Sequence, residues 1–145
     1  MHDLAMKKMT DQLDCCNPGK KPLSPARQQI LDMIRQSPRP LGAYAILDLY
    51  KKNHPTAAPP TIYRALEYLC KNNWIHRIEK LNAYIACDHA HHHGNVQFLI
   101  CSRCGITREI EATEMGKTTK NLANKVGFII EQTIVEIIGH CKDCA

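Results

Sequence analysis

Cys101-Ser102-Arg103-Cys104 and Cys141-Lys142-Asp143-Cys144 are the residues whose types and spacing speak most directly of chemistry. Two Cys-x-x-Cys pairs can present four thiolates to one metal ion. Soft sulfur ligands in a tetrahedral set favour zinc. A set of four protein thiolates leaves no open position for substrate, so it points to structure rather than catalysis. The first pair falls on an expected tight turn at Cys104-Gly105, the second on residues 141–145. The gap between them exceeds that of a simple zinc ribbon, and closing it would tie a whole small domain together.

A second group of donors comprises His76, Cys87, His89, His91, His92, His93 and Glu109. A mixed nitrogen, sulfur and oxygen set in tetrahedral geometry also suits zinc. Sensors of iron or manganese more often use nitrogen and oxygen alone. Ligands drawn from different parts of the chain would put the binding energy of one ion into one arrangement of those parts, which is a switch. Each donor has a plainer alternative. His76 could be an ordinary strand histidine, and Cys87, like Cys70, a small buried hydrophobe. Glu109 could be a surface charge, and not every histidine of the tract need bind. His54 and His140 read as structural or solvated, and Cys15 and Cys16 as loose thiols of a tail.

Net charge is +5 and unevenly placed. Residues 1–85 carry 13 Lys/Arg against 7 Asp/Glu, whereas residues 86–145 carry 6 against 7. One half facing a polyanion would produce that split. A solvated surface would produce it too, because the excess is modest. A hydrophobic share of 44% is ordinary for a globular protein. No apolar run reaches membrane-span length and the polar start does not read as a signal peptide, so a cytoplasmic protein is expected. There, eight cysteines point to metal or redox chemistry rather than to a disulfide framework.

The elements that must position these residues show in the periodicity. Residues 1–22 read as a polar tail. Ser24 and Pro25 open a helix as N-cap and first-turn proline. Ile30, Leu31 and Ile34 form its apolar face, and it stops near Pro38. A second helix is expected over 43–52. A third opens at Pro60-Thr61, where Ile62, Ala65, Leu66 and Leu69 follow the i, i+3, i+4, i+7 pattern of a buried stripe. Its opposite face carries Thr61, Tyr63, Arg64, Glu67, Tyr68 and Lys71. Residues 74–78 and 83–86 read as two strands around a turn at Leu81-Asn82. Three short helices and a hairpin are the order of a winged helix-turn-helix.

The second half reads as a small α/β module. Strands are expected over 96–101 and 106–110, a helix over 111–125 and a strand over 128–138. Its apolar surface could pair with a second copy. The fold class is α+β: a tail at 1–22, a winged-helix DNA-binding domain at 23–84, a hinge at 85–93, and a dimerisation domain with structural zinc at 94–145.

In helix-turn-helix proteins the second helix of the motif enters the major groove and reads base edges near its N-terminus. Tyr63 and Arg64 hold that place. Arg64 can donate two hydrogen bonds to a guanine, and Tyr63 can pack on a thymine methyl or touch phosphate. Tyr44, Lys71, Arg77 and Lys80 are candidates for backbone contacts. Core packing is the alternative for Tyr63, and a solvated charge for Arg64.

Pro59-Pro60-Thr61-Ile62-Tyr63-Arg64-Ala65-Leu66, followed by Trp74-Ile75-His76-Arg77, resembles the recognition helix and wing of the ferric uptake regulator family. Residues 98–105 and the Cys141/Cys144 pair match that family's structural zinc site. The resemblance covers about residues 24–145. Within the family the chain is most similar to the zinc uptake regulators, because Tyr84-Ile85-Ala86-Cys87 puts a cysteine among the sensing ligands.

The resemblance implies a homodimeric, metal-dependent repressor. It would bind double-stranded operator DNA of zinc-uptake genes when zinc is plentiful, and would carry two zinc ions per subunit. Cys101, Cys104, Cys141 and Cys144 match the structural ligands. His76, Cys87 and Glu109 match sensing ligands. The fourth is a histidine some residues before Cys101; the spacing is shifted here, and we choose His93 with His91 as the alternate. Tyr44, Tyr63 and Arg64 match DNA-contact positions, and Thr61, Lys71 and Arg77 complete the expected DNA-facing set.

An enzyme is not expected. His-Glu-x-x-His is absent, and so is His-x-Glu paired with Pro-Cys-x-x-Cys. No membrane and no small organic substrate is implied. Two other readings stay open from the residues: a member of the same family that senses iron, against which Cys87 argues, and a thiol redox switch built on Cys101/Cys104 or Cys15/Cys16.

Overall fold

The computed structural model describes residues 22–87 and 95–145. The tail, the two cysteines at 15 and 16, and the histidine tract with His91 and His93 lie outside the described residues. The chain divides into two compact units, Met1–His91 and His92–Ala145.

The first unit opens with α1 (Pro25–Gln36). Ser24 Oγ accepts the Arg27 N–H at 3.4 Å and Pro25 needs no partner at the first position, so the helix start is both capped and preset. α2 (Ala43–Lys51) follows, then α3 (Pro59–Lys71), which again opens on prolines. Ile62, Ala65, Leu66 and Leu69 form the buried stripe of α3. They meet Ile30, Leu31 and Ile34 of α1 and Ile46, Leu47 and Tyr50 of α2 in one core. Each fully buried Leu or Ile there contributes about 1.5–3 kcal/mol.

Asn73 takes a left-handed turn at φ 59° after α3. The chain then enters a hairpin of β1 (Ile75–Ile78) and β2 (Ala83–Ala86), paired Ile75↔Ala86 to Ile78↔Ala83. Asn82, at φ 46°, reverses it, the residue type that tolerates such a turn best after glycine. Leu41 and Tyr84 exchange backbone hydrogen bonds of 3.0 and 2.8 Å. That bridge ties the α1–α2 connection to the hairpin and completes the winged helix.

The second unit contains β3 (Asn95–Cys101), β4 (Thr107–Ile110), α4 (Thr113–Lys125) and β5 (Thr133–Gly139). The sheet order is β4-β3-β5, with β3 antiparallel to β4 and parallel to β5. Val96, Phe98 and Ile100 alternate onto one buried face of the central strand.

The expected strand over 128–138 is corrected here: it begins at Thr133. Gly127 adopts φ 68°, its N–H bonds to the Asn124 carbonyl and the Phe128 N–H to that of Ala123. This pair of bonds is a Schellman cap. It spends the apolar residues just after Gly127 on ending α4 instead of starting a strand. Among the described residues no helix is long and apolar enough to cross a membrane.

Candidate functional site

The long gap between the cysteine pairs is closed by the sheet. β3 ends at Cys101 and β5 at Gly139, and these two are register partners in the parallel pairing. Both pairs therefore leave neighbouring strand ends in the same direction. Each then folds the same turn: the Gly105 N–H bonds to the Cys101 carbonyl, and the Ala145 N–H to the Cys141 carbonyl, both at 2.9 Å. Gly105 sits at φ 74°, where a side chain would be strained.

The result gathers all four sulfurs within 4.8 Å of one another, with Cys104 Sγ and Cys141 Sγ 3.8 Å apart. A zinc–sulfur bond of about 2.3 Å puts the sulfurs of a tetrahedral site about 3.8 Å apart, so the donors fit the ion. All four thiols are free of disulfides.

The electrostatics agree. The backbone N–H groups of Cys104 and Cys141 pull the Cys101 thiol down to about 5, against its own burial. Cys144 is pushed up to about 12, first by its hydrogen bond with Cys141 and then by Cys104. Sulfurs packed this closely cannot all ionise by themselves, and a dication removes that penalty.

Sequence spacing missed what pins the two turns together. Ser102 N–H bonds to the Gly139 carbonyl at 2.9 Å, and Ser102 Oγ lies 3.3 Å from His140 Nδ1. Arg103 Nη1 donates to the Cys144 carbonyl at 2.6 Å. Only the parallel β3–β5 pairing reveals these partners, because they are 37 to 41 residues apart.

Two donors of the second group meet on the hairpin. The Cys87 N–H bonds to the Trp74 carbonyl at 3.1 Å, which extends the ladder one step past β2. With His76 opposite Ile85, Cys87 lies diagonally across from His76 on the same face. Both are buried, and a ring nitrogen of His76 and the Cys87 sulfur are within 4.8 Å. Glu109 lies half-buried on β4 of the second unit, opposite Phe98. Cys70 behaves as packing: it rests against the helical core, and burial pushes its thiol up to about 11.

The solvent face of α3 carries Thr61, Tyr63, Arg64, Glu67 and Lys71, all exposed, with Tyr68 half-buried. Tyr63 is 47% exposed, so the core-packing alternative does not hold for it. Tyr44, on α2, is 66% exposed. Exposed side chains of these types are able to reach base edges and thymine methyls in a major groove. Arg77 is also exposed, but its guanidinium braces the hairpin turn, donating to Asn82 Oδ1 at 2.8 Å and lying 3.5 Å from Glu79.

Comparison with known proteins agrees with this architecture. The model of the ferric uptake regulator family matches residues 19–138. The zinc uptake regulation protein of Escherichia coli (strain K12) is 34% identical over 125 residues, covering 84% of this chain and 72% of that protein. A solved zinc uptake regulator complexed with zinc and DNA superposes with a TM-score of 0.84 at 29% identity, covering 95% of this chain and 93% of the other. A second, the crystal structure of holo XcZur, gives 0.80 at 30% identity, covering 94% and 96%. A helix with Tyr63 and Arg64 on its exposed face, a hairpin that brings His76 beside Cys87, and a four-cysteine knuckle at the strand ends thus occur together in a chain that belongs to the ferric uptake regulator family.

Proposed function

We propose that this protein is a zinc-responsive transcriptional repressor that binds operator DNA as a homodimer when zinc-loaded and controls zinc-uptake genes. It is a regulator and not an enzyme. Its place is the cytoplasm, with its operators. The single observation that carries the reading is the His76–Cys87 pair, a nitrogen and a sulfur donor on the hairpin that directly follows the reading helix. A thiolate among the sensing donors favours zinc over iron or manganese.

We assign two zinc ions to each subunit. Cys101, Cys104, Cys141 and Cys144 hold the first, permanently. His76, Cys87, Glu109 and His93 hold the second, exchangeably, with His91 as the alternate to His93. These residues would hold the second zinc, which would supply a charge-neutralising anchor when bound. With that set complete, donors from both units fix the winged helix at the spacing of successive major grooves. With it empty, the cost of ordering the DNA-binding domains lowers specific affinity. Arg64, Tyr63 and Thr61 face the bases, and Tyr44, Lys71 and Arg77 the backbone.

Operator binding by fluorescence anisotropy tests this, on protein that keeps only its tightly held zinc. Zinc, iron(II), manganese and nickel are titrated separately under reducing conditions. Zinc at very low buffered concentration should switch binding on, and Cys87→Ser should abolish the response. Activation by iron instead would contradict the ligand argument from Cys87. A Cys87→Ser protein that still responds to zinc would contradict the site.

A further inference from the structure

We propose that Arg27, on α1, is a phosphate contact of the DNA-reading surface, and that Tyr68, on α3, is the positioning residue that holds it there. The inference rests on the DNA-binding reading above and adds a contact from a different helix.

Thr61, Arg64, Tyr68 and Lys71 follow one another at spacings of three, four and three residues, so they line one face of α3. Tyr68 sits one turn beyond Arg64 and one turn before Lys71. The Arg27 guanidinium carbon lies 3.7 Å from the Tyr68 ring centroid, a close cation–π stack. That stack fixes a cation from α1 beside the middle of the stripe. A helix lying in a major groove has the phosphate strands along its flanks, and cations there set register and orientation instead of reading bases.

Arg27 occupies a position that stability alone would not favour. It is the third residue of α1, inside the first turn, where the helix dipole favours anions and disfavours cations. The first turn of α1 holds no acidic residue, and among the described ion pairs none involves Arg27. The contrast is Arg77, whose guanidinium is engaged by Glu79 and Asn82. Arg27 keeps its charge available, and the ring of Tyr68 supplies the rigidity that an ion pair would otherwise give. A planar guanidinium both stacks on the ring and forks to phosphate, which an ammonium does less well.

The test is the salt dependence of operator binding by the zinc-loaded full chain. Log affinity falls with log salt by about 0.9 for each phosphate contact, so Arg27→Gln should flatten the slope by about 2 in a dimer, equally for operator and scrambled duplex. Arg27→Lys should retain most of the slope. Tyr68→Phe should match the wild type, and Tyr68→Leu should lose part of what Arg27→Gln loses. Thermal melting checks the fold, and Arg27→Gln should shift it little, because loss of the stack on Tyr68 is offset by removal of a cation from the first turn. An unchanged slope in a folded Arg27→Gln protein, while the wild type binds normally, overturns this inference alone. A loss confined to the operator makes Arg27 a base contact and also overturns it. A wild type that binds no duplex overturns the repressor reading together with it.

Discussion

In the N-terminal unit, three helices and a hairpin turn 12 buried residues onto one core. Among the described residues, the large hydrophobics it leaves exposed are Tyr44 and Tyr63, both on the proposed DNA face. In the C-terminal unit the proportions reverse. Of the 11 large exposed hydrophobics among the described residues, nine fall there, including Leu122, Val126, Phe128 and Ile129 around the end of α4 and Ile134, Ile137 and Ile138 on β5. α4 buries only Gly116. The two units therefore draw their stability from different sources. The first rests on its own packing, whereas the second has a thin core and an exposed apolar face, which the proposed four-cysteine zinc would stabilise and a second copy would cover. That contrast is what the proposed homodimer, its assembly half held shut by a structural zinc, would explain.

The largest expected effect tests that contrast directly. Structural zinc in small domains carries about 10–16 kcal/mol of folding energy, so Cys104→Ser should unfold the C-terminal unit and leave the winged helix intact. In an amide NMR spectrum the signals of residues 95–145 should collapse while those of 22–87 stay dispersed, and sedimentation should show monomers. Persistence of the C-terminal signals would mean that the sheet holds itself together.

Next in size is a paired substitution. Leu66→Ala, at 1% exposure, should cost the N-terminal unit about 2–5 kcal/mol in denaturant unfolding. Ile129→Ser, at 87% exposure, should change subunit stability by less than about 0.5 kcal/mol. It should nevertheless raise the dimer dissociation constant about tenfold or more, measured by sedimentation. Gly127→Ala is milder: a β-carbon at φ 68° should cost about 1 kcal/mol and loosen the end of α4, visible as faster amide exchange at Phe128.

The smallest effect is a proton. At pH 7 the Cys101 thiol, pulled down to about 5, has already ionised, whereas Cys144, pushed up to about 12, has not. Zinc uptake at pH 7 must therefore expel the Cys144 proton but none from Cys101, and should release fewer than four in all. As pH falls toward 5, Cys101 regains its proton and zinc binding weakens further. Calorimetry in buffers of different ionisation enthalpy counts these protons.

Much of this was legible in the sequence because it is local. Ser24 and Pro25 marked a helix start, the spacing of Ile62, Ala65, Leu66 and Leu69 marked the buried side of α3, and Asn82 marked the hairpin turn. The two Cys-x-x-Cys pairs announced a four-thiolate site before any fold was known. What stayed hidden is non-local. The parallel pairing of β3 with β5 brings Cys101 beside Gly139, and no periodicity reveals a partner so far along the chain. The stack of Arg27 on Tyr68 joins two helices and leaves no spacing signal. Ile129 and Ile130 looked like strand residues because they are β-branched and apolar, but a glycine two positions earlier commits the chain to a helix cap.

The two proposed metal sites differ in kind, one built into the C-terminal unit and one responding to zinc supply. Zinc content per chain and operator affinity, followed together as free zinc is lowered with graded chelators, test this difference most directly. Two plateaus are expected: the exchangeable zinc of each chain leaves at the higher free-zinc level and specific DNA binding disappears with it, while the four-cysteine zinc and the dimer persist. Release of both ions in a single step, or operator binding that survives loss of the exchangeable zinc, would contradict this.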